Sequence, residues 1–224
     1  ASKKYKDAKI IIVGNEEIVR EELKNYSFSH DRIEILHSSE IIGMHESPTV
    51  SCRKKIDSSV MVAARALREK LCDAYFSPGN TGATLTSSLL EVGRIKGVKR
   101  PALAIPMPNL KGTALVLDAG ANVDSIPKYL AQFAIMGEVY YKYVFKKEEP
   151  SVGLLNIGEE ESKGNELTAE THKLLKNMPI NYIGNIEPNE IFMGKADVIV
   201  CEGFIGNIFL KTCESLVKTV IGFI

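Results

Sequence analysis

ALVLDAGANVD (114–124), VGLLNIGEEESKGNE (152–166) and DVIVCEGFIGN (197–207) each join a short apolar run to a loop of small residues and then to a helical pattern, and DAYFSPGNTGA (73–83) has the same form. In a parallel sheet all strand C-termini lie at one edge, so four such loops are expected to converge on one crevice. Glycine lacks a Cβ and lets backbone N–H groups close on an anion, while the following helix N-terminus adds positive partial charge. The layout suits phosphate or a phosphorylated ligand.

The alternation continues outward from these stretches. A strand is expected at 9–13, a helix after Asn15 and a second strand at 32–36. Residues 43–57 are polar and without periodicity, which predicts a loop. Ser58 or Ser59 caps a helix in which Val60, Ala63, Ala64 and Leu67 share a face. A strand at 75–76 and a helix at 84–95 flank the first glycine loop. Strands follow at 102–105 and 114–117, then a helix at 127–145 with Pro127 in its first turn. Strand 152–156, helix 167–176, strands 181–183 and 198–201 and a last helix from Asn207 complete the pattern. Regular alternation predicts an α/β fold, with a mostly parallel sheet covered on both faces. No linker breaks the pattern, so 1–224 reads as one domain. The chain opens without Met and stops inside a helical pattern, which suggests that one or both ends lie outside it.

Apolar content of 45% and charged content of 25% are ordinary for a soluble globular protein. Lys+Arg and Asp+Glu both number 28, so an acidic partner must be drawn by a local patch rather than by net charge. With no basic excess and 7% aromatic content, nucleic-acid binding is not expected. Cys52, Cys72, Cys201 and Cys213 show no C-x-x-C spacing and read as buried or incidental thiols of a reducing cytoplasm. No apolar run reaches the roughly 18 residues of a membrane span, and no secretion signal is visible.

Each loop has a functional and a plain reading. Gly79, Asn80, Thr81 and Gly82 form a phosphate cradle or a tight turn with Thr81 as a helix cap. Asp118 and Asp124 flank Gly120 and Asn122; the two carboxylates suit Mg²⁺, although capping and loop hydrogen bonds suit them better. Lys163, between a triple Glu run and Gly164–Asn165, is a point charge for phosphate or a surface lysine paired with its acidic neighbours. Gly206 and Asn207 open the last helix, where Asn207 could be a plain N-cap. No Walker A, dinucleotide fingerprint, nucleophile elbow or H-E-x-x-H motif is present. His37, directly after a strand, is expected to face the crevice. His45 lies in the polar loop, and His30 and His172 have ordinary surface contexts. Cys201 reads as a packed core thiol.

MHESP, RKKIDSSV, SPGNTGA, GRIKGVKRPALA, LDAGANVD, QFAIMG, VGLLNIGEEESKGNEL, YIGNIE and EGFIGNIFLK occur in that order over nearly all 224 residues. In this the chain closely resembles the bacterial phosphate acyltransferases of phospholipid synthesis, the PlsX family. The resemblance implies transfer of a fatty acyl group from acyl carrier protein to inorganic phosphate, giving acyl phosphate for a membrane acyltransferase. It also implies a homodimeric three-layer α/β/α sandwich similar to isocitrate and isopropylmalate dehydrogenases and to phosphotransacetylases. Peripheral membrane association of a cytoplasmic protein is implied as well. Family members begin with a strand and an AMGGDHAP-like loop that this sequence starts beyond, and they continue past its last helix. Pro78 stands where relatives commonly have Ala.

Acyl transfer to phosphate needs positioning and an oxyanion donor, and no metal or organic cofactor. Lys163 and the backbone of 80–82 are expected to hold phosphate, with Gly158, Asn165 and the 118–122 loop lining the site. Asn207 is the candidate oxyanion donor, and His37 a group that orients phosphate or protonates the leaving thiolate. Arg94, Lys96, Lys99 and Arg100, or Arg53, Lys54 and Lys55, offer a basic dock for acidic carrier protein; the first set equally suits a helix end closed by Gly97. The helix at 126–145 reads as core or interface, and SLVKTVIGFI as membrane-facing or interfacial. The rival readings are a carrier-protein or membrane-docking scaffold without turnover and a dehydrogenase of similar fold.

Overall fold

Leu115 and Leu117 pack into one apolar layer, Ala114 and Val116 into another. Period-two alternation with both faces buried is what a central strand between two helical layers requires. The computed structural model describes residues 7–27 and 32–223; His30 lies outside them. Where the sequence pattern reads as one domain, the chain divides into two compact units, Ala1–Ile95 and Lys96–Ile224.

The second unit carries a five-stranded sheet. Its strands are β3 (Ala104–Asn109), β4 (Gly112–Leu117), β5 (Val152–Leu155), β6 (Tyr182–Ile186) and β7 (Val198–Val200), in the order β3-β4-β7-β5-β6. All neighbours are parallel except β3, which forms an antiparallel hairpin with β4. Helices α5 (Pro127–Phe145) and α6 (Glu166–Lys176) cover one face through Leu130, Phe133, Tyr141 and Leu175. Helices α7 (Pro188–Met193) and α8 (Gly203–Phe223) cover the other through Ile191, Phe209 and Leu210. The unit is therefore the expected three-layer α/β/α sandwich. Pro127 stands at the start of α5, where its missing N–H costs nothing.

In the first unit, β1 (Ile10–Gly14) and β2 (Ile33–His37) pair in parallel around α1 (Glu16–Leu23), which is capped by Asn15. Helices α2 (Pro48–Lys54), α3 (Ser59–Arg68) and α4 (Thr81–Ser87) enclose Cys52, Val60, Met61 and Ala83. Glu91, on the π turn Ser88–Val92 that continues α4, binds Arg65 at 3.2 Å and Arg68 at 2.5 Å.

Four local expectations are corrected. The 43–57 segment contains α2, too short to show a period and buried only at Ser51 and Cys52. No strand forms at 75–76; Tyr75 is instead anchored by its hydroxyl, which donates to the Thr84 carbonyl at 2.9 Å. The helix after the first glycine loop ends at Gly93, at φ +85°, and Gly97 lies in a separate turn. Helix α8 starts at Gly203, so Asn207 lies inside it and is not its N-cap. Glycine is a poor helix former, which hides this start in the sequence. Packing overrides propensity: a Cβ on Gly206 would run into the Asp118 carbonyl, and one on Gly203 would sit 2.5 Å from the Asn122 carbonyl.

Gly206→Ala is expected to lower the unfolding free energy by about 2 kcal/mol through overpacking. Gly222→Ala, in open space on the same helix, should leave stability unchanged or raise it by up to about 1 kcal/mol. Urea unfolding of the pair checks both.

Candidate functional site

Asp118 follows β4 directly, after a cis peptide from Leu117, and has no exposed surface. Its carboxylate accepts five hydrogen bonds. Leu103, Gly120 and Ala121 N–H donate to Oδ1 at 2.9, 3.2 and 3.0 Å. Asn122 donates to Oδ2 through its N–H at 2.7 Å and its Nδ2 at 2.8 Å. Such a fully satisfied carboxylate organises a loop and keeps no lone pair free for Mg²⁺. The loop is tied to β7 by Asp118 N–H to Cys201 O at 2.9 Å, and to α8 by Gly203 N–H to Asn122 O at 2.9 Å. Gly120, at φ +130°, leaves room for the Asn207 side chain, which would lie 3.4 Å from a Cβ there. Asp118, Gly120, Asn122, Gly206 and Asn207 are thus brought together, with Asn207 exposed above the loop.

The loop after β5 is built by residues that the motif reading passes over. Asn156, buried at the strand end, accepts the Ile157 N–H at 2.9 Å and donates to the Lys163 carbonyl at 3.1 Å. Asn185 of β6, also buried, donates to the Glu160 carbonyl at 2.9 Å. Gly164 has φ +98°, and a Cβ there would fall 2.5 Å from Asn156 Oδ1. Asn165 caps α6 in a reciprocal box with Thr168, both bonds 2.9 Å, so its side chain is committed to the helix. The visible signal for Asn156 and Asn185 is an Asn closing an apolar run, in LLN and IGN.

Lys163 projects from this pinned loop, exposed, with Gly158 beside its stem. Among the described residues no carboxylate pairs with its ammonium. Glu159 pairs with Lys195 at 2.8 Å and Glu161 with Lys176 at 2.5 Å. The paired-surface-lysine reading is therefore not what forms. At the start of α8, Gly203 and Gly206 N–H are bonded to Asn122 O and Glu202 O, and no partner occurs among the described residues for the N–H groups of Phe204 and Ile205. Because β4, β7 and β5 are consecutive neighbours, their three loops stand side by side at one sheet edge, at strand spacings of about 4.8 Å. One cation, two helix N-terminal donors and a neutral amide are what an anion with a polar acyl group beside it requires.

The first unit holds the remaining candidates. Asn80, not Thr81, caps α4, accepting the Ala83 N–H at 3.1 Å, while its Nδ2 faces the carbonyls of Gly43, Met44 and Glu46 at 3.2–3.3 Å. Gly82 packs on Pro48, where a Cβ would fall 2.6 Å from the ring. The 79–82 turn is thus held by the preceding polar segment. His37 is exposed at the end of β2 and its Nδ1 accepts the Glu16 N–H at 3.2 Å, which helps cap α1.

Two further expectations change. His172 is buried, not on the surface: its Nδ1 meets the Tyr182 hydroxyl at 2.8 Å, and its Nε2 lies 3.4 Å from the Glu161 carboxylate. Lys55 is not a free docking cation, because it bonds Glu46 at 2.7 Å and the Ile41 carbonyl at 2.8 Å. Arg53, Lys54, Arg94, Lys96, Lys99 and Arg100 are exposed, with the Arg100 guanidinium 5.8 Å from the Tyr129 ring centre. Cys201 is buried, which pushes its thiol well above the usual range, so it is no nucleophile. No group of three metal-ligating side chains occurs among the described residues.

The model of the fatty acid synthesis protein family matches residues 1–224. The chain belongs to this family. Curated members include a phosphate acyltransferase of Clostridium perfringens, 48% identical over the whole chain, and one of Dictyoglomus thermophilum, 49% identical over 94% of it. The chain spans 66% and 63% of their lengths. Among solved structures, it resembles the EutD phosphotransacetylase from Staphylococcus aureus, with TM-score 0.63 and 16% identity over 97% of this chain and 85% of that one. A branched-chain phosphotransacylase from Enterococcus faecalis matches with TM-score 0.54 and 13% identity, over 91% of this chain and 83% of that one. These structures share the α/β fold.

Two outcomes test the framework. Asp118→Asn turns an acceptor into a donor facing N–H groups, and should cost roughly 3 kcal/mol in urea unfolding. Lys55, the Gly43 N–H and Ser51 hold the Glu46 carboxyl down to about 2 from its ordinary 4.5. A carboxyl lowered on folding stabilises above its unfolded pKa, and that contribution is lost as pH falls from 4.5 toward 2. Glu46→Gln should flatten stability against pH in this window, measured by unfolding at stepped pH.

Proposed function

We propose that the chain carries the site of an acyl-carrier-protein:phosphate acyltransferase, which moves a fatty acyl group from the carrier thioester to inorganic phosphate and supplies acyl phosphate to phospholipid synthesis. The observation that carries this reading is Lys163, without an ion-pair partner among the described residues, on a loop pinned by Asn156 and Asn185 that leaves the sheet next to the start of α8, where the Phe204 and Ile205 N–H groups have no partner among those residues. Family membership and relatives named phosphate acyltransferase support it.

Phosphate is already an anionic nucleophile at neutral pH, so neither a serine nor an acyl-enzyme is needed. In the proposed reaction a phosphate oxygen held by Lys163 attacks the thioester carbonyl carbon. The oxyanion that forms is met by the Asn207 amide, which stays neutral and directional. Collapse breaks the C–S bond and releases acyl phosphate and the carrier thiolate, which takes a proton from water. A thiolate leaves readily, since its conjugate acid has a pKa of about 8.5, and an enzymic acid adds little. His37, with Nδ1 already accepting a backbone N–H, is given no step. The 79–82 turn is given no step, its Asn80 side chain being occupied in capping α4.

Acidic carrier protein docks, in this reading, on exposed cations of the 94–100 segment. Ile208, Leu216, Val220 and Phe223, which α8 exposes, support assembly of two copies and a peripheral membrane contact. Among the described residues no helix is long and apolar enough to cross a membrane.

The test is to titrate phosphate against long-chain acyl carrier protein and the intact protein, measuring thiol release and acyl phosphate together. Equal, phosphate-dependent amounts of both are expected, with Lys163→Ala reducing kcat/KM for phosphate by about 100-fold while the fold is kept. Carrier binding without turnover would replace the enzyme by a scaffold, and reduction of a nicotinamide cofactor would replace it by a dehydrogenase. Unchanged turnover in Lys163→Ala would remove Lys163 from the site.

A further inference from the structure

Glu159, Glu160 and Glu161 pose an electrostatic puzzle, because three carboxylates beside a phosphate-binding lysine should both neutralise the lysine and repel the anion. The geometry accounts for two of the three. Glu161 is drawn to α6, where its Oε1 lies 2.5 Å from Lys176 Nζ and 3.4 Å from His172 Nε2. Glu159 is drawn the other way, to Lys195 at 2.8 Å, and Lys195 also bonds Glu190. Glu160 is fixed through its backbone, its carbonyl accepting from Asn185 Nδ2 at 2.9 Å and from Lys163 N–H at 3.1 Å, and its carboxylate stays beside the Lys163 stem against Gly158 without an ion pair among the described residues.

We infer that Lys176 and Lys195 are positioning residues for phosphate: they bind the carboxylates that would otherwise pair with Lys163, and so keep its ammonium free. This rests on the reading of Lys163 as the phosphate cation. The Glu161–Lys176 pair is too exposed to be explained as a stability device, whereas Lys195 also holds the largely buried Glu190 of α7. Glu161 and Lys176 are more than half exposed, and ion pairs of that kind contribute little to folding. Their effect falls on the loop charge instead. With Lys176 present, Glu161 is neutralised at a distance from Lys163; without it, Lys163 is the next available cation for that carboxylate on the same short loop.

The relation is a coupling, which gives the inference a signature that loop damage cannot imitate. Lys176→Met is expected to weaken phosphate about fivefold, both in KM and in equilibrium dialysis with radiolabelled phosphate, with kcat within about twofold and the melting temperature nearly unmoved. Adding Glu161→Gln to Lys176→Met removes the stray carboxylate and should return the phosphate affinity to within about twofold of the parent. Lys176→Arg should behave as the parent. The loss in Lys176→Met should also shrink as salt is raised, since an exposed charge is screened. A Lys176→Met protein with unchanged phosphate affinity, or a double variant no better than the single one, overturns the inference. If the parent neither binds nor consumes phosphate, or if Lys163→Ala binds it as well as the parent, the reading of the site falls and this inference with it.

Discussion

The buried Asp118 carboxylate and the five N–H groups that it gathers are the constraint on which the rest of the site depends. A charge without exposed surface persists only when its lone pairs are met, and here they are met by the backbone of the loop itself and by Asn122. The carboxylate thereby fixes the course of 118–122. The Asp118 and Asn122 carbonyls then become the surface on which Gly206 and Gly203 of α8 close. A side chain at either glycine would push the helix off the loop, and with it the Phe204 and Ile205 N–H groups and the Asn207 amide. An acid whose lone pairs are met by N–H groups thus determines where the donors stand.

The sheet supplies the second half of the arrangement. With β7 between β4 and β5, the α8 N-terminus lies between the Asp118 loop and the loop that carries Lys163. Each loop is held by a buried polar side chain at a strand end: Asp118 after β4, and Asn156 after β5 with Asn185 in β6. Among the described residues, the exposed Lys163 and Asn207 side chains have no hydrogen-bond or ion-pair partner that would be lost on meeting a ligand. Division of labour between buried organisers and exposed actors is what catalysis by positioning needs.

Much of the sandwich was legible because its strands are continuous apolar runs and its helices carry ordinary caps and periods. Pro127 marks a helix start by its chemistry. The start of α8 was hidden because Gly203 and Gly206 argue against helix locally, and only the tertiary contact with Asp118 explains them. Helix α2 was hidden because seven residues burying two side chains leave no period. The site was legible as loops but not as roles. The sequence placed Asp118, Asn80 and Asn165 among ligand-binding residues, whereas each spends its side chain on the backbone. His172 read as a surface residue because a lone histidine in a polar helix carries no sign of the tyrosine it meets ten residues later. The triple Glu run read as a competitor for Lys163, since pairing with Lys176 and Lys195 exists only in three dimensions.

The central claim is that phosphate binds at the C-terminal edge of the five-stranded sheet, on Lys163 and the first turn of α8. The direct test is a crystal structure of the intact protein with phosphate bound and no acyl donor. The account predicts a phosphate within hydrogen-bonding distance of Lys163 Nζ and of a backbone N–H at Phe204 or Ile205, with the Asp118 carboxylate unchanged beneath. Phosphate held elsewhere, with Lys163 turned to solvent or paired with Glu161, would contradict it.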